Sequence, residues 1–192
     1  VVTLNSGVGG IDSITLGAGI NSVIGGADGD IIRNGPGTNV VLGDEGVIDF
    51  DLGVTKLVRS LNFTAGGRDI IVLDDGFNFA IGGVAGDLII SGDGTGVLFG
   101  DNGEILWTAA TGLSVLDAVS TLAPAVGGND RIIAGSGANM ILGGQGSDFL
   151  TSAASIFSTV ILGDNGKADY TVGGLLRTVD STDFTIGGND TL

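Results

Sequence analysis

A nine-residue period runs through the chain and leaves few folds open to it. Counted from Gly7, the blocks read GVGGIDSIT, LGAGINSVI, GGADGDIIR, NGPGTNVVL and GDEGVIDFD. The register resumes at Thr64 with TAGGRDIIV, LDDGFNFAI, GGVAGDLII, SGDGTGVLF and GDNGEILWT, and at Ala125 with AVGGNDRII, AGSGANMIL and GGQGSDFLT. An irregular SAASIFSTVIL then precedes GDNGKADYT, and TIGGNDTL starts another unit at Thr185. Position 4 is glycine in 12 of the 14 nine-residue blocks, and position 8 is apolar or aromatic in all of them. Glycine on a fixed beat permits a tight turn. One inward residue per block, stacked on its equivalents, fills a narrow core.

The pattern resembles the calcium-binding nonapeptide G-G-x-G-x-D-x-U-x of the RTX (repeats-in-toxin) family. GGADGDIIR, GGVAGDLII and GGQGSDFLT carry the resemblance best. It implies an all-β fold, a right-handed parallel β-roll or β-solenoid in which each block is a turn plus a short strand and two blocks make one coil.

A longer period sits on top. Asp12, Asp69, Asp130 and Asp190 start equivalent blocks 57, 61 and 60 residues apart. Each unit has five blocks and then a stretch without glycine at position 4, at 52–63, 109–124 and 172–184. Five blocks make two and a half coils, so that stretch is expected to supply the missing half. The result would be about three coils per unit, the third enlarged by an excursion. One continuous solenoid is expected over 1–192, with units at 7–63, 64–124 and 125–184 and the start of a fourth at 185–192. LGVTKLVRSLNF and VGGLLRTVDSTDF read as extended or hairpin-like, whereas LSVLDAVSTLA reads equally as a short helix. Phe50, Trp107 and Tyr170 end the fifth blocks at position 8, and are expected to plug a coil that widens there.

Blocks 18 residues apart fall on the same edge of the roll, and position 6 sorts by edge. Asp12 lies with Asp30, Asp69 with Asp87 and Asp130 with Asp148; the other edge has Asn21 with Asn39, Asn78 opposite Gly96, and Asn139. Stacked coils repeat at about 4.8 Å. Two bare carboxylates at that spacing repel by roughly 3 kcal/mol at an effective dielectric of about 20. A cation between them reverses the sign, and carbonyls of a glycine-rich turn would complete an oxygen cage suited to Ca2+ rather than magnesium or zinc. The family resemblance implies the same cages. Asp12, Asp30, Asp69, Asp87, Asp130, Asp148 and Asp190 are therefore the candidate ligands. Asp44, Asp101 and Asp164, at position 2 of the fifth blocks, join them as candidates for a second site with Asp30, Asp87 and Asp148, or else form turns. Asp28, Asp74, Asp75 and Asp93 read as solvated turn residues. The asparagine edge needs no ion, because neutral amides stack as a hydrogen-bonded ladder; this departs from the family, which commonly has aspartate on both edges.

Charge and composition narrow the function. Acidic residues outnumber basic ones 22 to 7, for a formal charge of −15, so nucleic acid is not expected as a partner. No apolar run is long enough for a transmembrane segment. With no histidine or cysteine, and with carboxylates that follow the repeat, no enzymatic role is expected. Residues 1 to 10 show no secretory leader. The resemblance implies an extracellular or bacterial cell-surface protein, secreted by a type I system, that folds on meeting calcium. A structural repeat module is expected: an adhesin spacer, or a surface-layer or filament subunit. Its partners would be calcium ions and neighbouring repeats or copies of itself stacked end to end. An accessory module of a secreted hydrolase or epimerase, or a glycan-binding module, is the alternative.

Overall fold

The computed structural model describes residue 2 and residues 8–110 and 113–192. Among them are eighteen β-strands in three six-stranded sheets, and no helix. The first sheet is parallel and stacks β1 (Ser13–Leu16), β3 (Ile31–Asn34), β7 (Ile70–Leu73), β9 (Leu88–Ser91), β13 (Arg131–Ala134) and β15 (Phe149–Ser152) in that order. The second, also parallel, stacks β2 (Gly19–Ile24), β4 (Gly37–Leu42), β8 (Gly76–Ile81), β10 (Gly94–Phe99), β14 (Asn139–Leu142) and β16 (Val160–Leu162). Together they are the two sides of a β-roll, two blocks to a coil.

The roll keeps strict register because position 8 must stay inside. Ile14, Ile32, Ile71, Ile89, Ile132 and Leu150 pair directly up the first sheet. Val23, Val41, Ala80, Leu98, Ile141 and Ile161 do so up the second. These two columns face each other and form the inner core, joined by Leu73 and Ala134. A slip of one residue would turn every column outward. At position 4, the two blocks without glycine hold Asp28 and Ala85 at φ of 69° and 74°. The turn imposes the left-handed conformation there even on residues that have a Cβ.

The fifth block does not wind into a third coil. In each unit it is the first strand of an antiparallel hairpin: β5 (Gly46–Asp51) with β6 (Val54–Ser60), β11 (Gly103–Ala110) with β12 (Leu113–Thr121), and β17 (Gly166–Tyr170) with β18 (Leu176–Ser181). The hairpins join side by side into the third sheet. Each unit is thus two coils and a hairpin. LSVLDAVSTLA holds the return strand of the second hairpin, not a helix.

Two sequence features explain the hairpins. Position 6 of the fifth block is Ile48, Ile105 or Ala168 rather than Asp or Asn, and all three are buried. The second sheet is also apolar on its outer face, through Val40, Leu42, Ile81, Val97, Phe99, Met140 and Leu142. A sheet apolar on both faces requires a cover on each. The hairpins supply the outer one, and Ile48, Val58, Ile105, Val119 and Ala168 close a second core against it.

Phe50, Trp107 and Tyr170 accordingly do not plug the roll. Each follows a register irregularity in its hairpin, at Asp49/Phe50, Leu106/Trp107 and Asp169/Tyr170. Such bulges re-aim a side chain. Trp107 and Tyr170 pack against the second core, and Trp107 meets Phe79 edge-on with ring centroids 5.0 Å apart. Phe50 remains 37% exposed.

Candidate metal centre

The turns leading into the first sheet carry the aspartate edge. Its seven position-6 aspartates form one unbroken ladder across the three units and into the start of the fourth. The backbone N–H of Asp12 donates to Oδ1 of Asp30 (2.7 Å), Asp30 to Asp69 (2.6 Å) and Asp69 to Asp87 (2.7 Å). Asp87 then donates to Asp130 (2.7 Å), Asp130 to Asp148 (2.8 Å) and Asp148 to Asp190 (2.9 Å). The steps alternate between 18 residues and 39, 43 or 42. Every second turn therefore absorbs a hairpin without breaking the edge. The spacing of 18 pairs these residues within units; the ladder also joins Asp30 to Asp69, Asp87 to Asp130 and Asp148 to Asp190 between them.

Oδ1 is satisfied along this ladder and Oδ2 is not. Among the described residues, the buried side-chain atoms with no hydrogen-bond partner are Oδ2 of Asp30, Asp69, Asp87, Asp130 and Asp148 and the amide atoms of Asn34. All five aspartates are at most 3% exposed. Each Oδ2 lies over the first glycine of a turn, beside a glycine carbonyl of the next coil. A Cβ on Gly25 would strike Asp30 Oδ2 and the Gly43 carbonyl together; one on Gly82 would strike Asp87 Oδ2 and the Gly100 carbonyl. The arrangement recurs at Gly43, Gly100 and Gly143. Acceptor faces acceptor with no donor between them, which a buried carboxylate tolerates only with a proton or a cation.

The electrostatics follow. Burial raises the pKa of Asp69 to about 7, with the neighbouring Asp30 charge adding to it. Burial likewise takes Asp148 to about 6, and Asp130, beside Asp101, to about 9. Asp30 and Asp87 shift upward for the same first reason, Asp87 well above the usual range. Among the described residues no three carboxylates converge on one point. A cage here needs the turn carbonyls as well, and those lie alongside. The donor set is all oxygen, which fits calcium.

Asp44, Asp101 and Asp164 stand on the same edge but differ in their partners. Asp44 accepts N–H bonds from Gly67 at Oδ1 (3.0 Å) and from Val84 at Oδ2. Asp101 accepts from Gly128 at Oδ1 (2.8 Å) and from Gln145 at Oδ2. Asp164 accepts from Gly188 at Oδ1 (2.9 Å). Burial lifts Asp44 and Asp101 to about 8. The Asp30 charge acts on Asp44 and the Asp164 charge on Asp148, as the spacing pairs them, but other carboxylates act there as well. Asp69 acts on Asp44 more strongly than Asp30 does, and the Asp101 charge acts on Asp130.

The opposite edge is the amide ladder. Asn21 Nδ2 donates to Asn39 Oδ1, and Asn39 Nδ2 to Asn78 Oδ1, both at 2.9 Å. Each amide also donates to a turn carbonyl four residues back, at Gly17, Gly35, Asp74 and Gly135. Where Gly96 interrupts the column, Asn78 turns to Ser91 Oγ (2.8 Å), and Asn139 uses Ser152 Oγ (3.1 Å).

A parallel roll with one carboxylate edge defines a calcium-binding repeat protein. The family model of the RTX calcium-binding nonapeptide repeat matches in four copies, over residues 6–41 and 125–154. These segments are similar to RTX repeats, and RTX nonapeptide repeats bind calcium. The second unit lies between the matches, yet β7 to β10 continue both sheets in the same register. No curated protein and no solved structure shows a significant match to the chain.

Proposed function

We propose that the chain is a calcium-stiffened structural module of an extracellular bacterial protein, without enzymatic activity. In this reading Asp12, Asp30, Asp69, Asp87, Asp130, Asp148 and Asp190 hold calcium through Oδ2 and the adjoining turn carbonyls. The observation that carries it is the row of five buried Oδ2 atoms without a donor. A glycine-rich chain loses much entropy on folding, and an unneutralised acid edge adds repulsion to that cost. Calcium bound to the folded state alone supplies the difference. Calorimetric titration tests the assignment: Asp87→Ala should lose at least one calcium and Asn39→Ala none. Equal stoichiometry in the two variants would sink it.

The repeats at 7–63, 64–124, 125–184 and 185–192 belong, in this proposal, to one continuous solenoid serving as an adhesin spacer or as a surface-layer or filament subunit. Thr191 already pairs in parallel with Phe149, and the outermost parallel strands offer unpaired backbone to a further coil. That coil comes from the same chain or from a second copy. Sedimentation in calcium separates the two, since a strict monomer at high concentration excludes stacking of copies. Secretion by a type I system and folding outside the cell accord with a chain that calcium completes.

A further inference from the structure

We infer that Asp44, Asp101 and Asp164 are staples that fasten each hairpin to the roll, and are not calcium ligands. All three occupy the second position of a turn in which plain coils have Gly26, Gly83 or Gly144, with φ of 123°, 122° and 110°. The backbone confirms the equivalence: Gly26 N–H donates to the Gly43 carbonyl, Asp44 N–H to Gly82, Gly83 N–H to Gly100, and Asp101 N–H to Gly143. Aspartate therefore replaces glycine wherever a hairpin leaves the roll.

The carboxylate of each staple joins three stretches of chain. Asp44 lies where the first hairpin leaves, accepts from Gly67 where the hairpin returns, and accepts from Val84 in the next coil. Asp101 repeats this with Gly128 and Gln145. Glycines make room on both sides, since a Cβ on Gly66 or Gly83 would overlap the Asp44 carboxylate, and one on Gly127 or Gly144 that of Asp101. Gly187 stands in the same relation to Asp164. The contrast with position 6 is chemical. There Oδ2 has no donor, whereas both oxygens of Asp44 and Asp101 are taken by backbone N–H groups, which leaves little for a metal. An inserted hairpin must have its ends held together at the turn, and the staple does this without interrupting the aspartate ladder.

The test uses the full chain in calcium. Asp101→Ala should keep the wild-type calcium count and the far-ultraviolet signal of the roll. The Gly128 and Gln145 amides should exchange at least about tenfold faster, and Trp107 emission should shift to the red. Asp101→Asn, which keeps one carbonyl acceptor, should recover part of that protection. Asp164→Ala provides a second arm at the last hairpin, read at the Gly188 amide. Loss of one calcium per aspartate with hairpin amides still protected would overturn the staple. A wild-type chain that binds no calcium would instead sink the calcium reading and leave the amide readout standing.

Discussion

At the scale of the residue, position 6 shows how one side chain serves two ends. Its Oδ1 closes a backbone hydrogen bond, and its Oδ2 is left without a donor, which is where the proposal places a cation. That the aspartates share one edge was legible from the spacing of 18; that Oδ1 is bonded along it and Oδ2 is not was hidden, because a one-letter code does not say which lone pairs the turn consumes. Asn34 makes the opposite point. It lies between Leu16 and Leu73 in its column and is buried with both amide atoms unpartnered. Asn34→Leu removes two unsatisfied groups and should raise stability by about 1–3 kcal/mol, measured by urea unfolding.

At the scale of the element, the roll was legible and the third sheet was not. Positions 4, 6 and 8 fix turn, edge and core, so the two parallel sheets follow from the blocks. The hairpins depend on what covers the outer face of the second sheet, and a repeat count cannot say that. A signal did exist: runs such as NVVL, FAI, VLF and MIL are apolar on both faces, and position 6 turns apolar in every fifth block. Trp107 and Tyr170, after their bulges, then anchor hairpins rather than a coil. Trp107→Ala should weaken the hairpin layer by about 3 kcal/mol, the low end for a large aromatic because the ring is partly exposed. Denaturant unfolding should show an earlier loss of the hairpins, with the inner core of the roll intact.

At the scale of the whole molecule, the aspartate edge sets how stability depends on pH and calcium. Burial raises the pKa of Asp148 to about 6, Asp69 to about 7, Asp44 and Asp101 to about 8, and Asp130 to about 9. In the unfolded chain these groups titrate at about 3.9. A raised pKa means that the folded state binds the proton more tightly, so this stability is fully present below about pH 4. It is lost as pH rises through the folded values, complete by about pH 9. In chelator, the chain should therefore melt at a higher temperature at pH 5 than at pH 8. In the proposed sites calcium competes with the protons of Asp69, Asp130 and Asp148, so its affinity should increase over the same interval and the stabilisation it gives should be larger at pH 8. The most direct measurement is a crystal structure grown in calcium, with anomalous scattering used to place the ions. Peaks beside Oδ2 of Asp30, Asp69, Asp87, Asp130 and Asp148, and none along Asn21, Asn39, Asn78 and Asn139, are the predicted result; an empty aspartate edge, or ions on the asparagine edge, would contradict it.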